Sequence, residues 1–344
     1  MLISFRAWFY PLFALLSFSL FIASLGLGAM SIHPFDIFSS LMGLFGHLSD
    51  VKNADVVQFL ILEVRLPRTV TAMLVGASLA ASGVVMQGLF RNPLADPTLI
   101  GVSAGASFGA VSAIVLLSGF GAVLVSYLLP IGAFTGGMLA TFLVYRVATR
   151  FGQTDTALLL LGGIAIGAVA SAGIGTLSYF ANDAELRDLT LWSMGSVSKT
   201  QWLNILLASP VLIISMAILF RYRSILNAMS MGEHVAYQMG HDVKRIKKIL
   251  LILTALIVSV SVSISGIILF IGLVVPHLLR MLVGADHKHL LPLSMLAGAA
   301  LLLVADIISR FVVAPAELPV GLVMSLIGSP FFILLLVQQK RASS

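Results

Sequence analysis

The stretch RLPRTVTAMLVGASLAASGVVMQGLFRNPLADPTLIGVSAGASFGA, residues 65–110, sets two chemistries side by side. From Thr69 to Leu89, and again from Thr98 to Ser118, every side chain is uncharged and most are apolar or small. A helix rises about 1.5 Å per residue, so roughly 20 such residues cross a hydrocarbon core of about 30 Å. Between the two runs, FRNPLADPTLIG carries charge and places Pro93 and Pro97 where a helix cannot simply continue. Gly101, Gly105 and Gly109 recur four apart, which lines one helix face with small residues and lets a second helix approach closely. The stretch reads as a hairpin of two membrane-crossing helices joined by a polar turn.

The same pattern extends over the chain. Its 344 residues are 59% hydrophobic and 10% charged, with a mean hydropathy of +1.07. Soluble domains carry about 25% charged residues, so the chain is expected to be an all-α polytopic membrane protein. An apolar soluble protein would have to hide several uncharged runs of helical length. Ten spans are predicted, over 10–30, 69–89, 98–118, 130–149, 157–180, 201–220, 249–270, 272–284, 292–312 and 321–337. The seventh runs into the eighth with little interruption. The first apolar run has no A-x-A cleavage site before SIHPFD and reads as a retained span.

Charge sets the orientation. With both termini in the cytoplasm, that side holds Arg6, Arg91, Arg146, Arg150, Arg221, Arg223, Lys244, Arg245, Lys247, Lys248, Arg280, Lys288, Lys340 and Arg341. The outer side holds Lys52, Arg65, Arg68, Arg187, Lys199 and Arg310. Fourteen against six is the bias that positive-inside topology requires. The net charge of +6 is therefore explained by topology and anionic lipid, and nucleic acid is not an expected partner.

Several chemistries are excluded. Cysteine is absent, so disulfides, thiolate catalysis and Cys-ligated metals are ruled out. The seven histidines form no HExxH, and there is no G-x-S-x-G elbow or paired-carboxylate spacing. MGSVSKT, residues 194–200, lacks the glycine before Lys199 that a phosphate-binding loop needs. Ionisable residues inside the spans are sparse, which disfavours a stand-alone ion-coupled carrier. Asp306 and Arg310 read as a local i,i+4 pair. No catalytic or metal site is expected, and energy for uphill transport would come from another chain.

One passage breaks the apolar pattern. MSMGEHVAYQMGHDVKRIKK, residues 229–248, gathers charges and histidines on one or two short helices between two spans. Gly232 and Gly240 bracket an amphipathic helical turn, suited to docking a cytoplasmic protein and conveying its movement. A basic snorkelling flank would account for KRIKK but not for Glu233, His234, Gln238 and His241. The span over 157–180, with Gly163 and Gly167 four apart, is expected to line a pathway. It leads into AELRDLTLWSMGS, a polar, short-helical segment.

Residues 65–110, with SISGIILFIGLVVPHLLRMLVGADHKHLLPLSMLAGAALLLVADIISR (263–310) and AELPVGLVMSLIGSPFFILLL (316–336), resemble the FecCD-type permeases of ATP-binding-cassette importers for vitamin B12, ferric siderophores and haem. The resemblance covers almost the whole chain. It implies a single permease domain over 1–344 with the type II importer fold, in the bacterial inner membrane. It also implies a homodimer with the pathway on its two-fold axis, two cytoplasmic ATPase subunits that hold ATP and Mg, and one periplasmic binding protein. By resemblance, 229–248 forms the coupling helices, matching the family pattern at Gly232, Glu233, Ala236 and Gly240. Arg65, Arg68 and Arg310 match the family's external arginines, which pair with glutamates on the binding protein. Exposed pairs of that kind set orientation and encounter rate more than affinity. Residues 183–196 match the gate-associated segment, with Gly167, Ser171, Leu189, Trp192, Ser193 and Met194 as pathway or gate candidates. The cargo looks most like haem, with ferric siderophore and then cobalamin as alternatives. The histidines are not expected to ligate it.

Overall fold

The computed structural model describes residues 2–28, 30, 32–43, 54–150 and 153–343. Lys52, counted above on the outer side, lies outside the described residues. In chain order the helices are α1 (Leu2–Gly26), α2 (Pro34–Gly43), α3 (Ala54–Phe59), α4 (Leu66–Phe90), α5 (Val102–Leu117), α6 (Ala122–Ala148) and α7 (Thr156–Phe180). They continue as α8 (Asp183–Ser193), α9 (Trp202–Arg221), α10 (Arg223–Met231), α11 (Glu233–Gln238), α12 (Val243–Ser265), α13 (Ile271–Val283), α14 (His287–Phe311) and α15 (Val320–Ser343). The short strands β1 (Thr149–Arg150) and β2 (Gln153–Thr154) pair antiparallel just before α7.

Among the described residues nine helices are long and apolar enough to cross a membrane, and α13 is a tenth, shorter apolar helix. The boundaries shift for physical reasons. The second span starts at Val56, because α3 runs through a π-helical turn at Leu60–Arg65 straight into α4. Glu63, Arg65 and Arg68 interrupt the hydropathy there without interrupting the helix. The third span starts later than expected, since Asp96 caps a 3-10 turn over Pro97–Ile100 by accepting from the Thr98 N–H at 2.8 Å. The seventh and eighth spans are separated by a break. Gly266 and Phe270 take positive φ of 66° and 69°, which no α-helix accommodates, so the chain unwinds between α12 and α13.

Helices α4, α12 and α14 form the centre, each with most of its length buried. The glycine spacing read from the sequence is used where α5 meets α6. A Cβ on Gly109 would lie 1.9 Å from the Gly132 carbonyl oxygen, and one on Gly105 would lie 2.4 Å from that of Gly136. Small residues here permit backbone contact where no hydrophobic force drives helices together. Helix α7 differs from the central three. Only Leu159, Gly162, Gly163 and Ala170 are buried in it. Ile164, Ala168, Ser171, Gly175 and Tyr179 form an exposed stripe at helical spacing.

Candidate functional site

Three sets of residues matter, and the first is the segment 229–248. It folds as two short helices, α10 and α11, separated by Gly232 and closed by Gly240, both at positive φ. Ala236 is fully buried, while Met231, Tyr237 and Met239 stand out from the surface. The Glu233 carboxylate pairs with Lys247 Nζ at 2.8 Å, so its charge is directed inward. On the neighbouring helix, Asn227 Nδ2 donates to Asp286 at 2.6 Å. Asn227 Oδ1 accepts from the His287 backbone N–H at 2.8 Å and lies 2.7 Å from His287 Nδ1. Burial alone would raise the Asp286 carboxyl, but hydrogen bonds from the Lys288 N–H and the Asn227 amide hold it below the usual range. His287, which precedes the span expected over 292–312, is fully buried at the start of α14. Thus α10 is latched to α14. Replacing Asn227 with leucine removes these bonds and strands the Asp286 and His287 groups. Loss of about 1–3 kcal/mol is expected, read as a lower thermal unfolding midpoint in detergent.

The second set surrounds α8. The helix is opened by a capping box, with Glu185 N–H donating to Asn182 Oδ1 and Asn182 N–H to Glu185 Oε2, both at 3.0 Å. Hydrogen bonds from Ser118 and from the Asn182 backbone hold the Glu185 carboxyl below its usual range. Beyond α8 the chain is interlocked with the break between α12 and α13. Ser196 N–H donates to the Ser265 carbonyl at 2.7 Å, and Gly321 N–H donates to that of Gly195 at 3.2 Å. Gly195 and Gly266 both have positive φ, and a Cβ on either would fall within 2.5 Å of the opposite backbone, so only glycine fits. A cavity of about 660 Å³ opens beside this junction, lined by Glu185, Asp188, Trp192, Lys199, Gln201 and Glu317 among others.

Of the six pathway candidates only Trp192 lines that cavity. Leu189 and Met194 are half-buried, and Ser193 is exposed. Gly167 and Ser171 lie along α7, away from the cavity. The nearest atom to a Cβ on Gly167 is Ala104 Cβ at 3.8 Å, so this glycine is not a close-packing position.

The third set is the outer arginine cluster. Arg65, Arg68 and Arg310 are brought to one end of the bundle, but all three are buried, with 6%, 7% and 4% exposure. This corrects the expectation of exposed charges. Arg68 reaches Asp306 Oδ1 at 2.8 Å and Glu317 Oε2 at 2.7 Å. Arg310 bonds to the other Asp306 oxygen, giving the expected i,i+4 pair. It also donates to the carbonyls of Ser24 at 2.7 Å and Leu27 at 2.9 Å. Arg65 donates to the Leu25 carbonyl at 2.7 Å and to that of Met30. The physical reason is the end of α1. Its last carbonyls have no intrahelical partners, and two guanidinium groups supply them.

Sequence reasoning missed the Lys247 junction, the Asn227 latch and the second arginine on Asp306. For Lys247 a signal was present. Its helical phase with Val243, Leu250, Leu251 and Thr254 puts it on the buried face of α12. Among the described residues no group of three His, Asp or Glu side chains is placed to hold a metal.

This all-α polytopic bundle, with paired short helices at one end, is the fold of a type II ATP-binding-cassette importer permease. It is similar to a solved structure described as an inward-facing conformation of a metal-chelate type ABC transporter. The TM-score is 0.79 and the identity 34%, over 95% of this chain and 97% of that one. PsaBC from Streptococcus pneumoniae, 18% identical with a TM-score of 0.52 over 87% of this chain and 94% of that one, shares the fold alone. The FecCD transport family matches residues 15–338, and the chain belongs to that family. The hemin transport system permease protein HmuU of Yersinia pestis is 43% identical over 300 residues, covering 87% of this chain and 90% of that protein. The cobalamin import system permease protein BtuC of Halobacterium salinarum is 42% identical over 282 residues, covering 82% and 74% respectively. The chain is thus a transmembrane permease subunit of an ABC importer, multi-pass in the inner membrane. Subunits of this family are non-catalytic, and ATP is hydrolysed on a separate ATPase.

Proposed function

We propose that this permease moves haem inward by alternating access, as one of two copies around a central pathway, with two ATPase subunits and one binding protein. The 43% identity to the hemin permease HmuU along nearly the full length of both chains carries the choice of cargo. The likeness to a metal-chelate type transporter agrees with it. Cobalamin is the second reading, favoured by the 42% identity to BtuC.

The geometry supports a role for each set of residues. Residues 229–248 act as the coupling region. Exposed Met231, Tyr237 and Met239 offer the ATPase an apolar contact, while Gly232, Glu233, Ala236 and Gly240 fix the shape of α11. Residues 183–196, whose helix α8 packs on α5, act as the gate-associated segment with Leu189, Trp192, Ser193 and Met194, and the face of α7 that carries Gly167 and Ser171 lines the pathway. The binding protein docks on the outer face above Arg65, Arg68 and Arg310. There the buried arginines brace the surface, and Arg68 positions the partly exposed Glu317 carboxylate. The cycle shifts a two-state equilibrium and does no covalent chemistry on the cargo.

Growth tests the cargo. A host deleted for this gene is expected to fail on haemin as sole iron source, to recover with the gene restored, and to grow normally on ferric siderophores. Normal growth on haemin, in a strain without a duplicate importer, would transfer the assignment to another chelate.

A further inference from the structure

Four cations, Lys244, Arg245, Lys247 and Lys248, begin α12, and three of them are exposed. Lys247 alone is turned inward, with 5% exposure. Its ammonium makes two bonds, to Glu233 Oε1 at 2.8 Å and to the Thr154 carbonyl at 2.9 Å. Glu233 is the first residue of α11. Thr154 ends β2, one residue before Asp155, whose carboxylate caps α7 by accepting from the N–H groups of Ala157 and Leu158. One buried charge therefore joins the second short cytoplasmic helix to the entrance of the pathway helix.

The two short helices are fastened to different parts of the bundle. Helix α10 is latched through Asn227 to α14, which is deeply buried and packs along α4. Helix α11 is fastened through Lys247, which stands on α12, to the Thr154 carbonyl two residues before α7, a helix with four buried residues in its whole length. A displacement applied to this pair meets α14 through α10, and both α12 and the start of α7 through α11. Coupling between distant sites needs an element with two arrangements that both sites bias, and α7 is the least buried of the spans these bonds reach. A lysine ammonium is costly to bury without partners, so it is held to both acceptors at once.

We propose that Lys247 is the positioning residue that transmits displacement of α11 to α7, making the movement of the pathway helix follow the ATPase. This rests on the homodimeric importer reading given above. The chain has no cysteine, so Thr176→Cys on α7 places one nitroxide per copy, and the label–label distance reports the two α7 helices in the permease–ATPase complex. In the otherwise wild-type complex, ATP is expected to shift that distance. With Lys247→Met, which keeps the stem and loses the charge, the complex is expected to assemble and hydrolyse ATP while the shift is lost. Lys247→Arg, which keeps the charge and the donors, is expected to restore it.

An ATP-driven shift that persists in Lys247→Met overturns the proposal. A merely structural role would lower assembly and ATP hydrolysis together with the shift. If Lys247→Met does not assemble, Glu233→Gln carries the test, since it weakens the α11 arm and leaves the Thr154 bond. Loss of the shift in a Glu233→Gln complex that still assembles and hydrolyses ATP supports the proposal, and an undiminished shift, or loss of assembly and hydrolysis together with the shift, overturns it. Absence of any label–label signal, or of any ATP response in the wild-type complex, would instead sink the dimeric alternating-access reading and the inference with it.

Discussion

Replacing Asp306 with alanine is expected to remove most of the stability of the outer end of the bundle. Asp306 is fully buried, and its two oxygens are divided between Arg68 and Arg310, both nearly inaccessible. Removing the carboxylate leaves two desolvated guanidinium groups facing one another. Breaking a buried pair from one side costs about 3–5 kcal/mol, and here two pairs are broken at once. The bonds from Arg310 to Ser24 and Leu27 would be disturbed too, loosening α1 from α14. A large drop in the unfolding midpoint in detergent is the expected reading, with little folded protein in the membrane. Replacing Asp306, Arg68 and Arg310 together with leucine or methionine of similar volume should recover part of the loss, because no unpaired charge is left behind. An unchanged midpoint for Asp306→Ala would show that this cluster is not a structural brace.

Gly83→Val is expected to be equally severe for a different reason. A Cβ at Gly83 would sit 1.9 Å from the Gly272 carbonyl oxygen and 2.6 Å from its Cα. The obstruction is backbone, so no rotamer change relieves it, and α4 must part from α13. Overpacking a core costs about 1–3 kcal/mol where side chains can adjust, and this contact allows less adjustment than that. Loss of folded protein is expected, and even Gly83→Ala should lower the unfolding midpoint. Gly175→Ala is the contrasting case, because nothing lies within 4 Å of its Cβ position. That change should hold or raise stability, since alanine is favoured over glycine in a helix by about 1 kcal/mol. Equal midpoints for Gly83→Ala and Gly175→Ala would refute the close-approach argument.

Much of the fold was legible because membrane crossing is a local property. Each span is recorded in about 20 consecutive residues, and the proline turn at 91–100 and the polar passage at 229–248 were visible for the same reason. The break at 266–270 was harder to read. Its residues, GIILF, are as apolar as the helices beside them, and only the positive φ at Gly266 and Phe270 ends the helix.

The arginines show where local reading stops. Arg65, Arg68 and Arg310 were placed at the outer end by charge counting, and they are found together. Their burial depended on the last carbonyls of α1 and, for Arg68, on Asp306, groups far away in the chain, so composition could only suggest exposure. Lys247 makes the same point at the other end. It looks like one of four snorkelling cations, yet Thr154 lies 93 residues earlier and is brought within hydrogen-bond distance by the packing of α6 and β2 beside α12.

The sequence by itself determined that this chain is a bundle of membrane-crossing helices and that one short polar passage, 229–248, stands apart from them. Hydropathy, helix length and charge asymmetry act through neighbouring residues, so they survive without a structure. Only the tertiary structure decided which charges are buried, which glycines touch backbone, and what α10 and α11 are tied to. Those outcomes depend on unpaired carbonyls, carboxylates and ammonium groups meeting across the bundle, where the cost of leaving any one of them unsatisfied selects its partner.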